Sequence, residues 1–208
     1  MIESATGIVL RTRPLTETSL IVNWLTTEHG RISTVAKGAR RPKSVFAGKL
    51  DLCYEAEFTF TRSRRSELHA LREVSVREMH APLRQELGWL QQAGYAAALI
   101  EQTTERETPL PGVHTLMRGL LNHLPKHPPQ PRTVYAFELK LLDELGLRPD
   151  SEEAKLSAAT RLLLHALVDH DWSDLANLTA TAAQARELRQ FLHGFLIYHL
   201  GKIPKGRP

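Results

Sequence analysis

Cys53-Tyr54-Glu55-Ala56-Glu57-Phe58-Thr59-Phe60-Thr61 alternates in character from Tyr54 onward. Tyr54, Ala56, Phe58 and Phe60 fall on one side, and Glu55, Glu57, Thr59 and Thr61 on the other. A period of two is the signature of a strand with one face against a core. The segments on either side support a sheet. Upstream, Gly7 to Thr12 is short and β-branched and closes at Pro14. Thr18 to Thr26 and Arg31 to Ala36 flank Glu28-His29-Gly30, which reads as a hairpin turn. Downstream, Arg62-Ser63-Arg64-Arg65-Ser66 is a polar turn, and Leu68 to Val76 supplies a fifth strand. Five strands in so short a span predict a small closed barrel, since closure leaves no unpaired edge.

Beyond Met79 the period lengthens. Leu83, Leu87, Leu90, Gly94, Ala97 and Ala98 recur at helical spacing, and this helix is expected to run to about Thr104. Pro109 and Pro111 break it, and a shorter helix follows over Val113–Leu124. The proline-rich stretch from Pro125 to Pro131 bars helix continuation. Thr133 is the expected cap of the next helix, which Gly146 ends. Ser151 with Glu153 and Ala154 is expected to open a fourth helix reaching Asp169. Thr179 or Thr181 opens the last, Gly201 stops it, and Pro204 to Pro208 is expected to fray. The layout is thus α+β in two domains: a five-stranded barrel over residues 1–80, then an all-helical domain over 81–208.

The 208-residue chain carries a formal charge of +4. Residues 1–80 hold 13 basic and 9 acidic side chains, whereas residues 81–208 hold 14 of each. The excess therefore belongs to the β domain, which points to a polyanion partner there. It is concentrated between Arg31 and Lys49, where Arg31, Lys37, Arg40, Arg41, Lys43 and Lys49 stand without an acid. Small residues in Lys37-Gly38-Ala39-Arg40-Arg41-Pro42-Lys43-Ser44 would let the backbone approach a phosphate. The alternative is a solvated loop without a ligand. Phosphate contacts of this kind carry little base specificity. Among the aromatics that could stack on bases, Tyr54, Phe58 and Phe60 share the core face of a strand; Phe46 lies inside the basic loop and is a candidate for ligand contact.

Other chemistries find less support. One cysteine, Cys53, excludes a disulfide framework and a thiolate zinc cluster. His165 and Asp169 stand at i, i+4, near His170 and Asp171, but a zinc site needs three or four converging ligands and no His-Glu-x-x-His motif is present. Phosphate-loop, dinucleotide and nucleophile-elbow motifs are missing. Paired carboxylates such as Glu152-Glu153 read as solvated charge. A non-enzymatic protein without cofactor or metal is expected. The start Met1-Ile2-Glu3-Ser4 lacks the basic region of a signal peptide, and the longest apolar run, Tyr95 to Ile100, is too short to span a bilayer. Soluble, cytoplasmic placement is expected.

The runs Gly7-Ile8-Val9-Leu10-Arg11-Thr12-Arg13-Pro14, Glu17 to Val22, Thr27 to Ser33 and Ala36 to Ser44 resemble, in order and spacing, the N-terminal signature of the RecO family of bacterial recombination mediators. Phe137 to Pro149 resembles the helix before that family's zinc loop, and Tyr198-His199-Leu200-Gly201 its end. The resemblance implies an N-terminal oligonucleotide-binding (OB-fold) barrel and a helical C-terminal domain. It also implies binding of single- and double-stranded DNA, annealing of complementary strands, and RecA loading together with RecR and the single-strand-binding protein, whose C-terminal tail would dock on the helical domain. The implied location is the nucleoid. The DNA-binding set is then Arg31, Lys37, Arg40, Arg41, Lys43, Phe46 and Lys49, with Arg11 and Arg13. No membrane or small-molecule substrate is implied. The family's four-cysteine zinc loop would follow Arg148-Pro149, but here Asp150 runs straight into Ser151-Glu152-Glu153-Ala154, so the loop reads as deleted. Two other readings compete: an RNA-binding or ribosome-associated barrel protein, and a His-dependent metalloenzyme in the helical half.

Overall fold

The computed structural model describes residues 1–150 and 155–207. They form two compact units, one of Met1–Ala81 with Thr104–His114, the other of Pro82–Thr103 with Thr115 to the C-terminal end.

The first unit is a closed barrel of β1 (Ile2–Pro14), β2 (Leu20–Thr26), β3 (Gly30–Ala36), β4 (Glu55–Thr61) and β5 (Leu68–Glu78), ordered β1-β2-β3-β5-β4. β1 is more than twice as long as the stretch Gly7 to Thr12 suggests. It must pair β4 through its first half and β2 through its second, with Gly7 opposite both Thr26 and Ala56. A register shift between Val9 and Arg11 lets it bend from one partner to the other. β3 and β5 close the barrel in parallel, with Val35 opposite Ala70.

The alternation in β4 is as the sequence predicts: Ala56, Phe58 and Phe60 are buried and Glu57 is exposed. Glu55 departs from it and is buried, next to a register shift between Glu55 and Ala56. The core is aromatic at its centre. Trp24 stacks on Phe58 with ring centroids 4.1 Å apart, and its indole N–H donates to the Thr34 hydroxyl at 2.9 Å, so its polar atom is satisfied inside. Tyr54 is half-buried against this cluster.

The second unit and the connection to it carry α1 (Leu87–Thr103), α2 (Pro111–His123), α3 (Pro131–Glu144), α4 (Ala158–Asp169) and α5 (Ala182–Leu200). Helix starts differ from expectation for local reasons. α3 begins with Pro131 in its first turn behind Gln130, so Thr133 is a buried helical residue and not the cap. α4 is capped by Ser157, which accepts from Thr160 N; the expected opening at Ser151–Ala154 lies outside the described residues. Thr181 caps α5 in a reciprocal capping box with Gln184. α3, α4 and α5 enclose a core that includes Tyr135, Leu139, Leu164 and Leu192.

Of the stretch expected to fray, Pro208 lies outside the described residues, and Arg207 is tied down. Arg207 donates to both carboxylate oxygens of Glu138 at 2.7 Å, and Glu138 is fully buried. Tyr95 donates its hydroxyl to the same carboxylate at 2.5 Å. A charge this deep persists only when paired and hydrogen-bonded, and here both conditions hold. No described helix is long and apolar enough to cross a membrane.

Candidate nucleic-acid interface

The basic loop between β3 and β4 is a chain of tight turns. Arg41 N donates to Gly38 O at 3.0 Å, Ser44 N to Arg41 O at 3.1 Å, Ala47 N to Ser44 O at 3.1 Å and Lys49 N to Phe46 O at 3.1 Å. Arg40 N donates to Thr18 O at 3.0 Å, tying this loop to the β1–β2 loop. Phe46, only 6% exposed, plugs the loop into the barrel core beside Ala39 and Leu50.

Two expectations are corrected by this geometry. Phe46 is a core anchor, so its ring is not open for base stacking. The amides of Arg41 and Ser44 are spent on the loop's own turns and that of Arg40 on the Thr18 carbonyl, so these three are not offered to a phosphate. What it presents is side chains. Lys37, Arg40, Arg41 and Lys43 are all exposed, and Lys37, Arg41 and Lys43 have no acidic partner among the described residues. Arg40 reaches only the Thr16 carbonyl, at 3.3 Å.

A depression of about 380 Å³ lies between the two loops, lined by Leu15, Thr16, Val35, Lys37 and Arg41 among others. It sits where OB-fold barrels take their ligands, on the β2–β3 side beside the β1–β2 loop. Arg11 and Arg13, two residues apart, are exposed on adjoining β1, opposite Asn23 and Ile21 of β2. The β1–β2 loop contributes one acid, Glu17.

The other two predicted cations are placed apart from this depression. Arg31 clamps the Thr104–His114 segment onto the barrel. Its guanidinium donates to the Thr104 hydroxyl at 3.2 Å and the Thr104 carbonyl at 2.7 Å, while its own carbonyl accepts from Glu107 N at 3.0 Å. Arg31 is therefore structural, a correction to its place in the DNA-binding set. Lys49 lines a larger groove of about 800 Å³ together with Arg72 and the carboxylates of Glu28, Glu57 and Glu73. That mixture gives the groove no preference for anions.

The β4–β5 loop adds cations that the sequence reading passed over as a polar turn. Arg64 and Arg65 are exposed and have no acidic partner among the described residues. OB-folds use this loop for ligand contact too, and that rule was the signal that could have found them. Its third cation, Arg62, is structural. It bridges Glu3 at 2.8 and 3.0 Å and Glu107 at 2.5 Å, and Glu107 in turn lies 3.2 Å from His69 Nε2. The Arg62 hydrogen bonds hold the Glu3 carboxyl below its usual range, and burial pushes the His69 imidazole down.

The residues do not fit a zinc loop. Cys53, the chain's one thiol, is fully buried in the barrel unit. Asp169, half of the i, i+4 pair with His165, is taken by Arg148 at 2.8 Å. Among the described residues no group of three or more His, Cys, Asp or Glu side chains converges on a metal position.

Comparison with known proteins places these features in a family. Residues 1–80 match the family described as Recombination protein O N terminal. Residues 90–154 and 149–208 match Recombination protein O C terminal in two pieces. Their junction falls at 149–154, where the zinc loop reads as deleted. The chain is 29% identical to the DNA repair protein RecO of Anaeromyxobacter sp. (strain K), covering 95% of this chain and 91% of the relative. It is 30% identical to that of Bifidobacterium adolescentis, with 93% of each covered, and 28% identical to that of Bacillus pumilus, with 98% and 81% covered. With both halves matched, and a relative at this identity aligned almost end to end, the chain belongs to the recombination protein O family.

Proposed function

We propose that this chain works in DNA repair and homologous recombination as a non-enzymatic mediator. It binds single- and double-stranded DNA, anneals complementary strands and, with RecR, helps load RecA onto DNA coated with single-strand-binding protein. The observation that carries the reading is the set of exposed cations Lys37, Arg40, Arg41 and Lys43, held by a turn-built loop beside the barrel's ligand face.

The mechanism is electrostatic. Two single strands repel through their phosphates, and a rigid cationic rim neutralises both while leaving base edges free to pair. Contacts to the backbone alone make the activity tolerant of sequence. The protein acts at the nucleoid, in the cytoplasm. In the helical unit, an apolar cleft of about 320 Å³ between α3, α4 and α5, lined by Tyr135, Leu163, Leu167 and Leu188, suits the tail of the single-strand-binding protein. Arg132 lines that cleft and donates to the Leu178 and Ala176 carbonyls, which holds the cleft's edge in place.

The test is fluorescence annealing of complementary oligonucleotides coated with single-strand-binding protein. The chain should accelerate annealing, and the variant with Lys37, Arg40, Arg41 and Lys43 all changed to Ala should lose the acceleration while staying folded. A folded quadruple variant that anneals normally would remove the loop from the mechanism. Preference for RNA over DNA in direct competition would favour an RNA-binding role.

A further inference from the structure

The last helix presents a row of rings that the barrel-based reading does not use. On α5, Phe191 and Phe195 stand 5.8 Å apart, Phe195 and His199 4.3 Å, and His199 meets Tyr198 edge-on at 5.0 Å. Tyr198 is 84% exposed. These side chains line an open groove of about 610 Å³ that also includes Lys155, Gln190 and Gly194. Gly194 is costly in mid-helix, by about 1 kcal/mol relative to Ala in general. A Cβ built there would meet nothing within 4 Å, so packing does not explain the glycine. It does leave a gap in the side-chain row between the rings.

Lys155 lines the groove, is exposed and has no acidic partner among the described residues. Among the described residues the one acid lining the groove, Glu187, is occupied by hydrogen bonds from Ser157 and Thr160. Half-buried Phe191 and Phe195 beside exposed Tyr198 and His199, with Lys155 at the edge, match the chemistry of an unpaired nucleotide: a base stacks on the rings and a phosphate meets the lysine.

We propose that the α5 groove is a second binding site, for single-stranded DNA, separate from the basic loop of the barrel. It rests on the reading of the chain as a DNA-binding protein, but not on which barrel residues make the contact. Duplex DNA is excluded from the stacking mode because its bases are already stacked on each other. The groove thus gives an annealing protein a place to hold one strand with its bases splayed.

The test uses the full chain and a fluorescent oligothymidylate, read by anisotropy. Tyr198→Ala should weaken binding about 5- to 160-fold, the range for losing one stacked base. Gly194→Gln fills the groove without opposing the helix, so it should weaken binding similarly while the thermal transition stays or rises. In the barrel variant with Lys37, Arg40, Arg41 and Lys43 changed to Ala, residual binding to oligothymidylate should persist and then vanish when Tyr198→Ala is added. An oligothymidylate bearing 5-iododeoxyuridine should photo-crosslink to the 191–199 peptide. If Tyr198→Ala and Gly194→Gln both bind at wild-type affinity, the groove is not a DNA site. If Tyr198→Ala instead abolishes a concentration-dependent dimer with DNA affinity unchanged, the groove takes a second copy of the chain. Loss of binding in the barrel variant alone, with the α5 variants normal, would uphold the barrel reading and overturn this one.

Discussion

Glu138 and Arg207 are 69 positions apart, yet they form one buried, doubly hydrogen-bonded ion pair. Removing one partner of a buried pair leaves the other uncompensated, which costs about 3–5 kcal/mol. Arg207→Ala should therefore lower stability by about 3 kcal/mol, measured by urea denaturation, although it lies one residue from the end of the chain. A free tail would show no change. His123 supplies a pH dependence. Burial, with His127 at 4.4 Å between ring centroids, pushes its pKa from 6.5 down to about 4. Between those values the unfolded chain binds a proton that the folded chain refuses. Stability is full above about pH 6.5 and falls as the pH drops towards 4, by about 3 kcal/mol. The buried His69 acts in the same direction. Melting temperature followed from pH 7 to 4.5 should fall, and should fall less in His123→Gln. Neither effect was legible in the sequence. A pairing across 69 residues and a histidine's burial are products of packing, and neither leaves a local pattern.

At the scale of elements, the strands were the most legible because a half-buried strand repeats every two residues, as Tyr54 to Thr61 does. Helix interiors were legible for the same reason at their own period. Ends were less so. The first turn of α3 is set by Pro131, which the cap-based reading overlooked in favour of Thr133. Glycine roles showed only in three dimensions. Gly30 opens β3 with φ +64°, and a Cβ there would stand 1.9 Å from the Thr108 carbonyl oxygen. Gly30→Ala should lift the Thr104–His114 segment from the barrel and destabilise the fold by about 2–4 kcal/mol, measured by thermal unfolding. In the helical unit, Ala180 is exposed at the lip of the apolar cleft. Ala180→Glu should weaken capture of an acidic tail peptide about tenfold through like-charge repulsion, measured by calorimetry, without loss of fold.

For the whole molecule, the charge count in the first 80 residues points to the correct unit but overstates its ligand face. Of the cations between Arg31 and Lys49, Arg31 is consumed in holding the chain together and Lys49 faces carboxylates, while Arg64 and Arg65 are exposed on another loop. A sequence count cannot separate a structural arginine from a free one, because the difference lies in what the guanidinium reaches. The central claim is that Lys37, Arg40, Arg41 and Lys43 meet DNA phosphates, and salt dependence tests it most directly. About six phosphate contacts on a single strand give a log–log slope of roughly −4, and removing four of them leaves roughly −1. The account predicts that affinity for single-stranded DNA falls with that steep slope in the native chain and with the shallow one in the quadruple alanine variant. A flat response in the native chain, or an unchanged slope in the folded variant, would contradict it.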